Sequence, residues 1–298
     1  MLSSKSCEAF LAVAESGSFD EAAQRLCITA SAVTLRVQAL EKDLGKILLL
    51  RERPCRVTQA GQKLLEHLQH QRLREQNLLQ QFMGQSSQHE FHQFSIATNA
   101  DSLSTWLLKV LQSTLIEQKI ALKLSLDDQT QTHQLLETGL VNACISTEST
   151  AMKGCEVHYL GQMTYHMVAT ASFVEKWFKD GIHRDALRHA PAIIFNGKDL
   201  MHHQVILNLF GLNQQSYPHY FIPSSTAFVE AVHLGLGFGL VPQYQMGDDL
   251  QTGKLIEVIP DAKTEMKLYW HHWKQQSALL QQLTLDLLEN APHHMNEQ

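Results

Sequence analysis

Cys7, Phe10, Leu11 and Ala14 recur at helical spacing between about Ser3 and Glu15, and Gly17 stops the run. Ser18-Phe19-Asp20-Glu21 then has the Ser-x-x-Glu form of a capping box, in which each side chain satisfies an orphan backbone donor. A short second helix follows, with Phe19, Ala22, Ala23 and Leu26 facing inward, and ends at Cys27-Ile28. Thr29 is placed to cap a third helix whose stripe is Val33, Val37, Leu40 and Leu44 and whose stop is Gly45. At about 100° per residue the opposite face carries Ser31, Leu35, Gln38 and Lys42, with Thr34 beside it. Two short helices, a tight turn and a third helix with a small, polar outer face make a helix-turn-helix. Periodicity alone equally allows a small helical bundle whose outer face does nothing.

The residues that follow shift that balance. Ile47 to Leu50 is an apolar run bounded by Gly45 and by Arg51-Glu52-Arg53-Pro54, and Arg56-Val57-Thr58 comes next. This reads as a small hairpin or wing with arginines at its tip. From Thr58 to about Ser87 there is no proline, and Leu64, Leu65, Leu68, Leu78, Leu79 and Phe82 recur at helical spacing among glutamines. A helix this long needs something to bury its stripe, although the stripe lapses around Gln71 to Gln76.

Gly84 to His92 is polar and loop-like and marks a domain boundary. Beyond it strands and helices alternate. The expected strands are Phe91–Ala97, Ile120–Leu126, Val141–Ser146, Met163–Thr170, Pro191–Phe195, one near Phe221, and Phe238–Val241. Helices are expected from Ser102, at Leu135-Leu136, over Met201–Phe210 and from Ser225 to Leu234. The rhythm implies a mostly parallel sheet. Tyr159 to Thr170 is expected to cross into a second subdomain, and Lys254 onward to return. The class is α+β overall: a winged helix-turn-helix over 1–58, a long helix over 59–88, and two α/β subdomains over 89–298.

Composition agrees with a folded chain of two domains: 298 residues, 44% hydrophobic and 18% charged. No apolar run approaches the roughly 20 residues of a membrane helix. Met1 to Phe10 lacks a basic segment followed by an apolar one, so no secretory signal is expected. The five cysteines (Cys7, Cys27, Cys55, Cys144, Cys155) are scattered, without a Cys-x-x-Cys pair, which suits reduced thiols in the cytoplasm. The net charge of −6 divides unevenly: residues 1–85 carry 11 Lys+Arg against 9 Asp+Glu, and residues 86–298 carry 13 against 21. Between 25 and 63 there are eight basic residues against three acidic, a patch suited to phosphate contact on an otherwise acidic protein.

Several segments resemble the N-terminal signature of LysR-type regulators. They are Phe10 to Phe19 (FLAVAESGSF), Ala22-Ala23-Gln24-Arg25-Leu26, Ser31-Ala32-Val33-Thr34, Leu40-Glu41-Lys42-Asp43-Leu44-Gly45, Leu49-Leu50-Arg51 and Thr58-Gln59-Ala60-Gly61. The likeness implies double-stranded promoter DNA as partner, with Ser31, Thr34, Leu35, Arg36 and Gln38 near bases and Arg51, Arg53 and Arg56 on phosphates. Ala30 and Leu35 depart from the polar residues usual there; Leu35 can meet a thymine methyl instead. The 59–88 segment resembles the family's linker helix, which implies a homodimer or homotetramer, and RNA polymerase is a further partner the family implies.

Gly235-Leu236-Gly237-Phe238-Gly239-Leu240-Val241-Pro242 is no dinucleotide motif, because its glycines end a helix and enter a strand. It resembles a segment of the LysR-type effector domain, whose fold is similar to periplasmic solute-binding proteins. Asn99 to Leu103, Trp106-Leu107-Leu108, Asp128, Ser224-Ser225, Ala227-Phe228-Val229 and Tyr269-Trp270-His271 are similar to the branch that responds to lysine and arginine; the stretch from Phe195 to Leu200 diverges. A small-molecule effector is therefore implied, held in a cleft between the subdomains. The candidate residues are Asp101, Asp127 and Asp128 for a cation, Ser102, Ser104, Ser224 and Ser225 for a carboxylate, with Asn196 and His202 bordering the ligand. Each serine can equally be a plain helix cap and each aspartate a strand end. Seventeen histidines raise the question of metal, but adjacent pairs such as His202-His203 and His271-His272 cannot both face one ion, and no His-Glu-x-x-His occurs. No Gly-x-Ser-x-Gly elbow or P-loop is present. No metal, cofactor or enzyme activity is expected. A solute-binding protein of a transport system would share the C-terminal fold but lack the N-terminal module, and an amino-acid-acting enzyme would need catalytic groups.

Overall fold

The three expected N-terminal helices form as α1 (Ser4–Ser16), α2 (Phe19–Arg25) and α3 (Ala30–Leu44), followed by the wing strands β1 (Leu49–Leu50) and β2 (Arg56–Val57) and the long helix α4 (Gln59–Met83). The computed structural model describes residues 3–83, 91–126, 132–260 and 262–296. They fall into two units, 1–88 with 134–142, and 89–133 with 143–298. Gly17 and Gly45 end α1 and α3 in the left-handed conformation. Only half of the expected capping box is made. The Ser18 hydroxyl accepts from the Glu21 amide (3.4 Å), while the Ser18 amide donates to the Ser16 hydroxyl instead (3.3 Å). Thr29 caps α3 by accepting from the Ala32 amide at 3.2 Å.

Val33, Val37 and Leu40 are fully buried against Phe10, Val13 and Ala22, whereas Leu44, at the end of the stripe, is exposed. The wing is shorter than the apolar run suggested. Ile47 is exposed; Leu48 and Leu49 enter the core. On α4, Leu65 and Leu68 are buried in this same core and Leu64 packs against it, while Leu78 is 52% exposed. The apolar stripe of α4 is therefore not one seam. Its N-terminal part closes the helix-turn-helix core. Leu79 and Phe82 lie outside the described side chains.

After α4 the chain runs β3 (His92–Thr98), α5 (Ala100–Thr105), α6 (Leu107–Glu117), β4 (Ile120–Leu126), α7 (Thr132–Glu137), β5 (Ala143–Ser146) and β6 (Cys155–Thr170), most of α7 falling in the 134–142 segment of the first unit. It continues with α8 (Ala171–Trp177), α9 (Arg184–Leu187), β7 (Ala192–Ile194), α10 (Leu200–Phe210), β8 (His219–Phe221) and α11 (Ser225–His233). The chain closes with β9 (Gly239–Pro242), α12 (Gln243–Met246), β10 (Leu255–Glu257), β11 (Thr264–Trp273) and α13 (Ala278–Asn296). The helix expected from Ser102 is broken at Trp106, which is buried.

The main sheet has the order β10-β6-β11-β5-β3-β4, with β9 also on β6. It is mixed, not mostly parallel. β3 pairs in parallel with β4 and β5, and β7 with β8, as βα alternation demands. The long strands β6 and β11 instead pair with each other antiparallel, from Thr264 opposite Tyr165 to Trp273 opposite Cys155. The start of β6 thus belongs to the first subdomain, and its end joins β9 and β10 in the second. The chain crosses once in β6 and returns through β10 and β11, as the sequence suggested. A Cβ on Gly237 would lie 2.7 Å from the Pro191 carbonyl, so the glycine run lets β9 close on β7. Trp106, Tyr165, Phe238 and Trp270 anchor the shared core. Among the described residues no helix is long and apolar enough to cross a membrane.

Candidate functional site

Two faces carry candidate chemistry. On the first unit, Ser31, Leu35 and Gln38 stand exposed on α3, Leu35 at 66%. Thr34 is half-buried and donates its hydroxyl back to the Ala30 carbonyl (2.9 Å), so it must turn to reach a base; Arg36 is also half-buried. Arg51 and Arg53 lie in the loop between the wing strands and Arg56 on β2 itself, all exposed, with the Arg51 guanidinium 5.7 Å over the Phe19 ring. Arg25 is paired with Glu15.

The wing is held in place by residues that the family likeness marked without explaining. The Glu41 carboxylate accepts from the Leu48 and Leu49 amides (2.9 and 3.3 Å), pinning the wing to α3. Thr58 donates its hydroxyl to the Ile47 carbonyl (2.8 Å) and accepts from the Gly61 amide (3.0 Å), capping α4. A Cβ at Gly61 would come within 2.1 Å of the Leu48 carbonyl, so only glycine allows α4 to start against the wing. The arrangement can lay α3 in a major groove with the arginines beside it.

On the second unit a cavity of about 140 Å³ opens where the two subdomains meet around β6 and β11. Its wall is built from strand ends and helix starts: Asn99 to Asp101 at the start of α5, Phe195, Asn196 and Lys198 to His202 around the start of α10, Ser225 and Phe228 on α11, and Leu240 and Pro242 on β9. Tyr165 on β6, Gln245 on α12 and Met266 on β11 complete it. The Tyr165 hydroxyl donates to Asp101 (2.7 Å); burial and the facing carboxylate push its pKa well up, so it stays a donor. Asp199 accepts from the amides of Phe195, Met201 and His202 at 3.1–3.5 Å. Burial raises the pKa of Asp199 despite these bonds, and Asp101 adds to the rise. Two carboxyl groups thus face one cavity. Burial holds the His202 ring neutral, its pKa pushed down to about 3, and neither ring nitrogen has a partner among the described residues.

Of the residues singled out in the sequence, Asp101, Asn196, His202 and Ser225 line this cavity. The Asn196 side chain is committed to its own loop, accepting from the Lys198 amide (2.7 Å), and the Ser225 hydroxyl donates to Gln245 (3.2 Å). Ser102 is buried behind the wall with no hydroxyl partner among the described residues. Ser104 is turned to solvent on α5 and is not in the lining. Ser224 is likewise exposed and outside the lining; its hydroxyl caps α11 by accepting from the Ala227 amide (3.4 Å). Asp127 and Asp128 lie outside the described residues. Tyr165, Asp199 and Gln245 escaped sequence reasoning; the one local signal was for Asp199, an N-cap residue ahead of the apolar run of α10.

Residues 4–62 match the bacterial regulatory helix-turn-helix protein, lysR family, and residues 87–291 match the LysR substrate binding domain. The chain is 34% identical over 288 residues to the HTH-type transcriptional regulator ArgP of Vibrio parahaemolyticus, covering 97% of this chain and 96% of that one. The crystal structure of ArgP from Mycobacterium tuberculosis is similar at TM-score 0.80 and 33% identity, over 98% of both chains. Full-length LysG from Corynebacterium glutamicum with bound effector Arg is similar at TM-score 0.72 and 30% identity, over 97% of this chain and 98% of that one. These relatives are regulators, not enzymes, and they fall in the branch that the effector-domain segments resemble. The chain belongs to the LysR family of DNA-binding transcriptional regulators, with an N-terminal helix-turn-helix and a C-terminal effector-binding domain.

Proposed function

We propose that this regulator is controlled by a basic amino acid, arginine or lysine, bound in the cavity around Asp101 and Asp199. The observation that carries the reading is the pair of carboxyl groups on one small cavity, with Tyr165 fixing the first and the start of α10 fixing the second. A guanidinium or ammonium group is what such a pair recognises. Lys198, Ser225 and Gln245 on the same wall offer a cation and neutral polar groups to an α-carboxylate. The arginine bound to LysG is an effector of this type.

The regulator acts in the cytoplasm as a homodimer or homotetramer on an interrupted palindrome, one α3 helix per half-site, and meets RNA polymerase at the promoter. Ser31, Leu35 and Gln38 read bases, Thr34 and Arg36 flank them, and Arg51, Arg53 and Arg56 hold phosphates. Titration calorimetry of the full chain with arginine and with lysine tests the effector. Binding of either, weakened by Asp101→Asn, is the expected result. Heat from neither at millimolar concentration would sink the assignment.

A further inference from the structure

We propose that Glu156, His158 and His272 form a site for a divalent transition metal, zinc or an ion of similar softness, across the β6–β11 ribbon. His272 stands directly opposite Glu156 in the antiparallel register, and His158 lies two residues along β6, so all three side chains share one face of the sheet. The Glu156 carboxylate is 3.7 Å from His158 Nε2 and 3.9 Å from His272 Nε2, and the three ligand atoms lie within 4.8 Å of one another. The two imidazoles are stacked, their planes 9° apart and their centroids separated by 5.2 Å.

His272 is the observation that points to a ligand. It is only 3% exposed, and its Nδ1–H donates to the Trp273 carbonyl at 2.9 Å. That bond fixes the tautomer and leaves Nε2 with a bare lone pair, buried, without a hydrogen-bond partner among the described residues, and within 4.8 Å of the other two ligand atoms. A ring nitrogen held this way by a backbone carbonyl is how proteins orient a metal-binding imidazole. His271 shows the contrast. It faces the other side of the sheet, where its Nε2 bonds the Glu148 carbonyl (2.7 Å), so the adjacent histidines do not compete for one ion.

Two imidazoles and a carboxylate suit zinc, copper(II) or nickel, with water completing the shell. Ligand atoms around tetrahedral zinc sit roughly 3.4 Å apart, given bonds of about 2.0–2.1 Å. The site has to close by a modest side-chain movement. The Glu156 and His158 side chains, 49% and 38% exposed, are free to make it. A bound ion would tie the first residues of β6 to the last residues of β11 and so pin the end of the ribbon opposite the one where Tyr165 and Met266 line the effector cavity.

The test uses the full chain, stripped with a chelator and titrated with zinc chloride while heat and melting temperature are recorded. The expected result is a single zinc per chain and a higher melting temperature. His158→Ala and Glu156→Gln, both at partly exposed side chains, should weaken zinc by about tenfold or more while the metal-free melting temperature stays put. Cobalt(II) in place of zinc should give visible absorption that His158→Ala abolishes. A variant with His293 and His294 changed to Ala separates this site from chelation by the C-terminal pair, and should bind as the wild type does. No binding at micromolar zinc, binding untouched by His158→Ala, or binding that vanishes with His293 and His294 overturns the proposal.

Discussion

Asp199 combines a structural role with a charged one. Its carboxylate accepts the Met201 and His202 amides that open α10, yet burial keeps its pKa above the ordinary 3.8. A carboxyl group that binds its proton more tightly when folded contributes stability fully present below pH 3.8 and lost as pH rises through the folded value. A cationic ligand favours the ionised form and expels that proton. Affinity for arginine should therefore fall as pH drops through the raised value. Asp199→Asn keeps the cap acceptor and removes the charge, where Asp199→Ala would also cost about 1 kcal/mol of cap. The Asn variant should hold its neutral-pH melting temperature, lose about 1.5–3 kcal/mol of arginine binding, and lose the pH dependence. Calorimetry across that pH range checks it; an unchanged pH dependence in the variant would show that Asp199 is not the titrating partner. Asp101, Asn196, His202 and Ser225 were legible in the sequence because each sits at the start of a helix or a loop beside one. Tyr165 and Gln245 were not, because β6 and α12 reach the cavity only through the antiparallel crossing, which leaves no local pattern.

At the level of elements, local signals carried furthest. Gly17, Thr29 and Gly45 mark the ends of α1 and α3 because caps and left-handed turns depend on neighbours in sequence. Sheet direction did not follow in the same way, since β6 and β11 are brought together from residues 155 and 273 by tertiary packing. The stripe on α4 misled for a related reason: helical spacing counts apolar residues but does not say what they meet. Leu68 meets the core of the first unit, and Leu78 meets no such core. The two leucines should therefore respond differently to lysine. Leu68→Lys places a charge in that core and should destabilise the helix-turn-helix by about 3 kcal/mol or more. Leu78→Lys should spare the helix-turn-helix core and convert the proposed homo-oligomer to monomer, read by light scattering. A wild-type chain that scatters as a monomer at micromolar concentration would contradict the oligomer itself.

Across the whole molecule, charge is distributed so that affinity for DNA rests on a small surface. Residues 86–298 carry 13 Lys+Arg against 21 Asp+Glu, so the acidic remainder of the chain repels phosphate. The attraction is left to the eight basic residues between 25 and 63, and Arg25 is already engaged by Glu15. Arg53 lies exposed in the loop between the wing strands, beside the recognition helix rather than on it. Arg53→Ala should weaken every duplex alike and reduce the slope of log K against log salt by about 1, because one counterion fewer is released. Gln38 stands on the exposed face of α3, where a side-chain amide can pair with an adenine edge. Gln38→Ala should leave the salt slope intact and cost about 1–3 kcal/mol on cognate sites only, flattening the preference at one base pair. Fluorescence anisotropy with cognate and scrambled duplexes over a salt series separates the two behaviours. If Arg53→Ala altered sequence preference while Gln38→Ala altered only the salt slope, the roles assigned to wing and helix would have to be exchanged. If neither moved binding, the DNA-contacting surface would lie elsewhere on the first unit.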